Sequence, residues 1–192
     1  MTKKSRLLLA VAAVLPVAVL FLAASPAPSD GPKYTSEGRL MFPEHYREWV
    51  FLSSGLGMTY GPLASGEPRF DNVFVNPSAY RSFLETGHWP DKTVFVLEVR
   101  QAQSKGSINR GGHFQADVAG VETHVKDEQR FPRKWAFFGF QNGAKASEAR
   151  AQDDASCYTC HEPKGAVETT FVQFYPTLIP IAKQKGSYQP RE

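Results

Sequence analysis

The chain has 192 residues, with 22 Lys and Arg against 19 Asp and Glu, and only two cysteines. This composition excludes a collagen-like chain, a disordered tail protein and a disulfide-stapled miniprotein. Three of the basic residues, Lys3, Lys4 and Arg6, precede an apolar run, so the rest of the chain is close to neutral. The charge therefore indicates no polyanion-binding surface, and we expect no nucleic-acid partner.

The apolar run from Leu7 to Ala24 predicts an export signal or a single N-terminal membrane anchor within residues 1–24. Its length is close to the roughly 20 residues that span a bilayer, and no clean small-residue cleavage site follows it. Both interpretations place the body in the periplasm, either soluble or tethered to the inner membrane. Residues 25–32 are rich in proline and predict a short linker, and residues 33–192 predict one domain.

Helical patterns occur on both sides of the middle of the chain. Pro43 opens a short amphipathic stretch over residues 44–49. Asn76-Pro77 is typical of a helix start, and Gly87 is typical of its end. Two weaker helical patterns follow near the C-terminus, at 147–151 and 167–174.

Four consecutive segments in the middle of the chain predict β-strands, since they are rich in β-branched and aromatic residues. They are residues 93–99, 112–118, 121–125 and 134–140. Strands that follow one another without a helix between them favour antiparallel pairing. The sequence therefore predicts an α+β fold, with an antiparallel sheet as its core, flanking helices and a C-terminal segment that carries a specific motif.

That segment is Cys157-Tyr158-Thr159-Cys160-His161, the Cys-x-x-Cys-His pattern that attaches c-type haem. Two thiols at this spacing can add to the two vinyl groups on one porphyrin edge, and His161 then becomes the proximal ligand of the iron. We expect one covalent haem c. A disulfide pair would prefer a thioredoxin-like βαβ context, and a zinc site would need further ligands.

Seven short patterns carry a resemblance that extends over most of the body. They are Phe42-Pro43-x-x-Tyr46-Arg47-Glu48-Trp49, Val73-Phe74-Val75-Asn76-Pro77-x-x-Tyr80, Thr93-Val94-x-Val96-x-Glu98, Gly120-Val121-Glu122, Val125-Lys126-Asp127-x-Gln129-Arg130-Phe131, Trp135-Ala136-Phe137 and Phe171-x-x-Phe174-Tyr175-Pro176. In this order they resemble the cytochrome P-460 family, which includes the cytochromes c′-beta. The resemblance implies a dimeric, sheet-rich monohaem protein with five-coordinate iron.

One position departs from the pattern of the family. Cytochromes P-460 proper oxidise hydroxylamine and carry a lysine, cross-linked to the porphyrin, in the strand pattern Thr-Val-x-Val-Lys-Glu. Leu97 occupies that position here and cannot form the cross-link. The departure favours the c′-beta side of the family, whose members bind nitric oxide in an apolar pocket.

The period of a strand extends this prediction to the residues around Leu97. Phe95 shares a face with Leu97, so the two are expected to cap the haem, with Phe74 as a further candidate on another element. Ordinary sheet core is the alternative for Phe95 and Leu97. The resemblance also makes Glu122 a candidate proton acceptor, against the alternative of a solvated glutamate beside Lys126.

Three functions follow from these residues. The first is a haem protein that binds nitric oxide or a related small nitrogen ligand at an open distal site. The second is a hydroxylamine-oxidising oxidoreductase, and the third is an electron-transfer cytochrome with a sixth ligand from methionine or histidine. The expected partners are a small nitrogen-oxide ligand and a periplasmic redox partner. The candidate sixth ligands are Met41, Met58, His113 and His124.

Overall fold

The computed structural model describes residues 29–59, 67–140, 143–147 and 155–190. The predicted leader and most of the helical pattern at 147–151 lie outside these ranges. Within them, no helix has both the length and the apolar character needed to cross a membrane.

In the described part of the chain, five antiparallel strands lie side by side in chain order and form a single sheet. They are β1 (Val50–Leu56), β2 (Arg69–Val75), β3 (Val94–Gln103), β4 (Phe114–Lys126) and β5 (Trp135–Phe140). The predicted α+β fold with an antiparallel core is confirmed. Strands β1 and β2 were not predicted, and β4 continues through Gly120, where the sequence predicted a break. Irregular pairing beside Val99 and Gly120 takes the place of a turn.

The same residues form three α-helices: α1 (Pro77–Thr86), α2 (Ala155–Lys164) and α3 (Ile179–Gln184). Helix α1 has the predicted bounds. It ends because Gly87 adopts a left-handed conformation, with φ of 75°, and donates its N–H to the carbonyl of Phe83.

The side chain that caps the start of α1 is not that of Asn76, the residue that the sequence predicted. The side-chain oxygen of Asn76 accepts the N–H of Val94 at 2.8 Å, whereas a carboxylate oxygen of Asp30 accepts the N–H of Ser78 at 2.8 Å. Asp30 therefore supplies the acceptor that a helix N-terminus requires. This residue belongs to the predicted linker, so that segment reaches onto the folded body.

The helical pattern predicted over residues 167–174 is mostly wrong. Val167 and Thr170 pair as an antiparallel bridge, and only Val172–Phe174 form a 3₁₀ turn. Gly165 lies just before this segment, at a turn too tight for a side chain. A Cβ there would meet backbone atoms of residues 161, 168 and 169 at 2.8 Å.

Each face of the sheet packs against its own apolar cluster. On one face, Val75 and Phe95 pack with Phe83 of α1, Tyr158 of α2 and Ala182 of α3. The opposite face has no α-helix in its buried cluster within the described residues; its members include Leu40, Tyr46, Val94, Val96, Val125 and Phe138. The helix-bearing face is the one that opens into a cavity.

Candidate haem-binding site

A mostly apolar cavity of about 560 Å³ is walled by the sheet and by the C-terminal segments. This volume lies within the range of pockets that hold small ligands and cofactors. The sheet contributes Ser53, Gly55, Asp71, Val73, Phe95, Leu97, Glu122, His124, Phe137 and Gly139, and the C-terminal segments contribute Ser156, Cys157, Cys160, His161, Phe171, Phe174 and Tyr175.

Strand register explains why these sheet residues share one wall. Directly opposed residues of neighbouring strands point to the same face, and so do residues two apart on one strand. Two adjacent rows therefore cross the sheet: Val73, Leu97, Glu122 and Gly139 form one, and Phe95, His124 and Phe137 form the other.

Helix α2 brings the haem-attachment motif to the cavity. Cys157 and Cys160 both line it and are not joined by a disulfide. Residues three and four apart lie on one face of a helix, so the two thiols and His161 are presented to the same space. This is the arrangement that two thioether bonds and one axial ligand require.

His161 has the protonation pattern of a metal ligand. Its Nδ1 lies 2.9 Å from the carbonyl oxygen of Thr169. A carbonyl can only accept, so Nδ1 carries the proton and Nε2 keeps its lone pair for a metal. Burial lowers the pKa of His161, although the bond to Thr169 acts in the opposite direction, and the ring is therefore neutral near pH 7.

His124, whose position beside the motif was not predicted, lies against His161. The ring centroids of the two histidines are 4.9 Å apart, and His124 also stacks on Phe137 at 4.1 Å. Burial, with a smaller contribution from His161, holds the pKa of His124 well below its usual value. The sequence predicted that His124 shares a strand face with Glu122. It did not predict the contact of His124 with His161, which lies 37 positions later.

The structure places Phe95, Leu97 and Glu122 on the cavity wall. Phe95 is buried and Leu97 is half-buried, whereas Glu122 is exposed. Lys126 is not the partner of Glu122, since its ammonium group lies 3.0 Å from Glu168.

Phe74, which the sequence predicted as a further haem-binding residue, does not line the cavity. It pairs with Val96, and its ring packs on Tyr46 and Phe51, both with centroids 5.6 Å away, on the opposite face of the sheet. The reason is that side chains alternate between the two faces along β2, so Val73 faces the cavity and Phe74 faces away from it.

Sequence reasoning missed Asp71, which lies on β2 two residues before Val73 and lines the cavity. Burial, and then the nearby charge of Glu122, raise the pKa of Asp71. The cavity face therefore carries two carboxyl groups, one on each side of β3. Recognising β2 as a strand would have revealed this face through its period of two.

Among the candidate sixth ligands, Met58 and His124 line the cavity. Met58 lies over Gly55, where an added Cβ would collide with its sulfur. Met41 and His113 are exposed and do not line the cavity.

The donor set and the cavity fit a c-type haem, because two thiols, a neutral imidazole and an apolar wall meet in one place. The family model of cytochrome P-460 matches residues 43–172, which include all five strands and α2. The chain belongs to the cytochrome P-460 family, so the resemblance predicted from sequence is confirmed. Membership implies a c-type haem protein. A comparison with curated proteins gives no match.

Proposed function

We propose that the protein is an exported cytochrome with one covalent haem c, which binds nitric oxide or a related small nitrogen ligand on an open distal side. The observation that carries this proposal is Leu97 on the cavity wall, at the position of the lysine that cross-links to the porphyrin in hydroxylamine-oxidising relatives. When bound, the haem supplies a redox-active iron with an exchangeable coordination position.

The motif residues hold the cofactor. Cys157 and Cys160 would form the thioether bonds, and His161 would bind iron through Nε2 while its Nδ1–H donates a hydrogen bond to the Thr169 carbonyl. The neutral state of His161 supports this role, since no proton has to leave the ring before the iron binds.

The sheet wall selects the ligand. Val73, Leu97 and Phe95 present hydrocarbon to the cavity, where a charged or strongly hydrated ligand would lose water without gaining hydrogen bonds. A small uncharged diatomic molecule avoids this penalty. We therefore assign ligand selection to this apolar part of the wall.

Hydroxylamine oxidation is the second candidate, and the carboxyl groups of Glu122 and Asp71 on the same wall favour it. The reaction removes protons from nitrogen, so a carboxylate within reach of the substrate would accept them. A plain electron carrier is the third candidate, supported by Met58 in the cavity lining.

Export, location and partners are part of the same proposal. The apolar run at residues 7–24, as a cleaved signal or a tether, would deliver the chain to the periplasm, where c-type haem is attached. A periplasmic redox partner would exchange electrons with the iron. A homodimer is supported by β1, a sheet-edge strand that exposes Phe51 and Leu56 by 52% and 47%.

The deciding experiment is spectroscopy of the ferric protein, followed by ligand assays on the same sample. A five-coordinate high-spin iron with rapid nitric oxide binding and no hydroxylamine turnover is the expected result. Sustained hydroxylamine turnover would select the second candidate, and a six-coordinate low-spin iron would select the third.

A further inference from the structure

The turn after α2 presents a backbone carbonyl to His161. Gly165 donates its N–H to the carbonyl of His161 at 3.0 Å, and Val167 then pairs with Thr170. This compact path leaves Thr169 opposite the imidazole, with its carbonyl oxygen 2.9 Å from Nδ1. The position of this oxygen depends on the conformation of the turn.

Glu168, which directly precedes Thr169, has an unusual backbone conformation. Its φ is 53°, in the left-handed region that residues with a Cβ rarely adopt. Glycine would adopt this conformation with less strain. A glutamate here indicates that its side chain contributes something that glycine could not.

The side chain of Glu168 ties the turn to the sheet. Its Oε2 accepts hydrogen bonds from Nζ of Lys126 at 3.0 Å and from the indole N–H of Trp135 at 3.1 Å. Lys126 is only 7% exposed and also donates to the carbonyl of Trp89 at 2.7 Å. Lys126 lies on β4 and Trp135 lies on β5, so charge-assisted hydrogen bonds to Glu168 hold the turn against the sheet.

Thr169 has an anchor of its own. Its hydroxyl oxygen lies 3.3 Å from Nε2 of His124, which stacks on Phe137 inside the sheet wall. The carbonyl that faces His161 is therefore held from two directions, by the tether of Glu168 and by the contact with His124.

We propose that Glu168 is a positioning residue for the haem's proximal histidine. It holds the Thr169 carbonyl against Nδ1 of His161 and thereby tunes the reduction potential of the iron. A firm N–H···O=C bond makes the imidazole a stronger donor, which favours ferric iron. The inference rests on the proposed ligation of iron by His161.

The test compares the haem-loaded Glu168→Gly and Glu168→Gln proteins with the unmodified protein. Glycine suits the φ of residue 168, so it removes the tether without adding backbone strain. Glutamine keeps an acceptor for Trp135 but loses the charge that binds Lys126. Glu128→Gln is the matched control, because Glu128 lies 3.6 Å from Nζ of Lys126 but is not part of the turn.

Reduction potentials are measured by spectroelectrochemistry, and the iron–histidine stretch is measured by resonance Raman spectroscopy. We expect Glu168→Gly to shift the equilibrium toward ferrous iron by about tenfold, or about 59 mV for one electron. Its iron–histidine frequency should fall. Glu168→Gln should shift both readouts less, and Glu128→Gln should leave both unchanged.

An unchanged potential and an unchanged iron–histidine frequency in both Glu168 variants would overturn the proposal. An equal shift in Glu128→Gln would overturn it too, because a general charge effect would then explain the result. If Glu168→Gly does not fold, as judged by circular dichroism, Glu168→Gln decides on the same two readouts. Lack of nitric oxide binding by the unmodified protein would reject the proposed function alone, since these readouts need no ligand.

Discussion

Leu97 and Glu98 are neighbours on β3, but one faces the cavity and the other faces the opposite core. Glu98 is 2% exposed, and its carboxylate accepts hydrogen bonds from Tyr46, Arg47 and Arg100. Burial alone would raise the pKa of Glu98, but the bonds from Arg100, Tyr46 and Arg47 outweigh it and bring the pKa to about 2.

The carboxyl groups on the cavity face have the opposite environment. Within the described residues, neither Asp71 nor Glu122 forms an ion pair, and the pKa of Asp71 is raised by burial and by Glu122. The comparison teaches that one sheet carries two kinds of carboxyl group. The negative charge of Glu98 is balanced by fixed partners and stabilises the fold, whereas Asp71 and Glu122 line the cavity without an ion-pair partner among the described residues.

The largest expected effect is the loss of covalent haem when the motif on the cavity face is removed. The double variant Cys157→Ala, Cys160→Ala should retain no haem after denaturing electrophoresis, because no thioether bond can form. Thr159→Ala is the control on the same helix and should retain it. A haem stain in the double variant would show that the attachment site is elsewhere.

Removal of the charge of Glu98, on the sheet face away from the cavity, should lower stability and leave the cavity unchanged. Glu98→Gln should lower the free energy of unfolding by about 3 kcal/mol, because the buried donors of Tyr46 and Arg100 lose their anionic acceptor. Glu122→Gln, the same change on the cavity face, should cost less than about 0.5 kcal/mol. Urea unfolding measures both values, and equal losses would contradict the distinction between the two faces.

The pKa of Glu98 also predicts how stability depends on pH. Because the folded state lowers this pKa from 4.5 to about 2, the contribution of Glu98 is fully present above pH 4.5 and is lost as pH falls toward 2. It amounts to about 3 kcal/mol at neutral pH. Urea titrations between pH 6 and pH 2 should show this loss, and it should be absent from Glu98→Gln. An identical slope in that variant would assign the acid sensitivity to other groups.

The presence of Leu97 on the cavity face, in place of the cross-linking lysine, leads to a spectroscopic prediction. The unmodified protein should show the reduced spectrum of a five-coordinate c-type haem, without the far-red-shifted Soret band of the lysine-linked cofactor. Its denaturing mass should equal that of the chain plus one haem joined by two thioether bonds. A shifted band would direct attention to Lys92, which bonds Asp127 in this structure, or to Lys105.

The smallest expected effect concerns Glu122 and nitric oxide. Association of nitric oxide transfers no proton, so Glu122→Ala should change its rate by no more than about twofold. A proton acceptor in hydroxylamine oxidation would instead be worth about 10²–10⁴ in rate. Stopped-flow association and a hydroxylamine turnover assay on the same two proteins measure both quantities. Turnover that falls by this factor in the variant would establish the enzyme.

Local patterns were sufficient for some features of this protein. The bounds of α1 follow from Pro77 and Gly87, which act on the backbone through their own torsional preferences. The haem motif is likewise local, since it depends on spacing within five residues. The period of β3 put Phe95 and Leu97 on one face because alternation is a property of a single strand.

Only the tertiary structure decided which residues meet. Strand β2 contains Asp71 and Asn72, and its polar residues conceal it as a strand until β3 pairs with it. Because of that pairing, Val73 lines the cavity and Phe74 lies on the opposite face of the sheet. His124 beside His161, and Lys126 beside Glu168, join segments about 40 residues apart. Such contacts depend on strand register and chain reversal, which no local preference encodes, so the contacts around His161 became visible only in the fold.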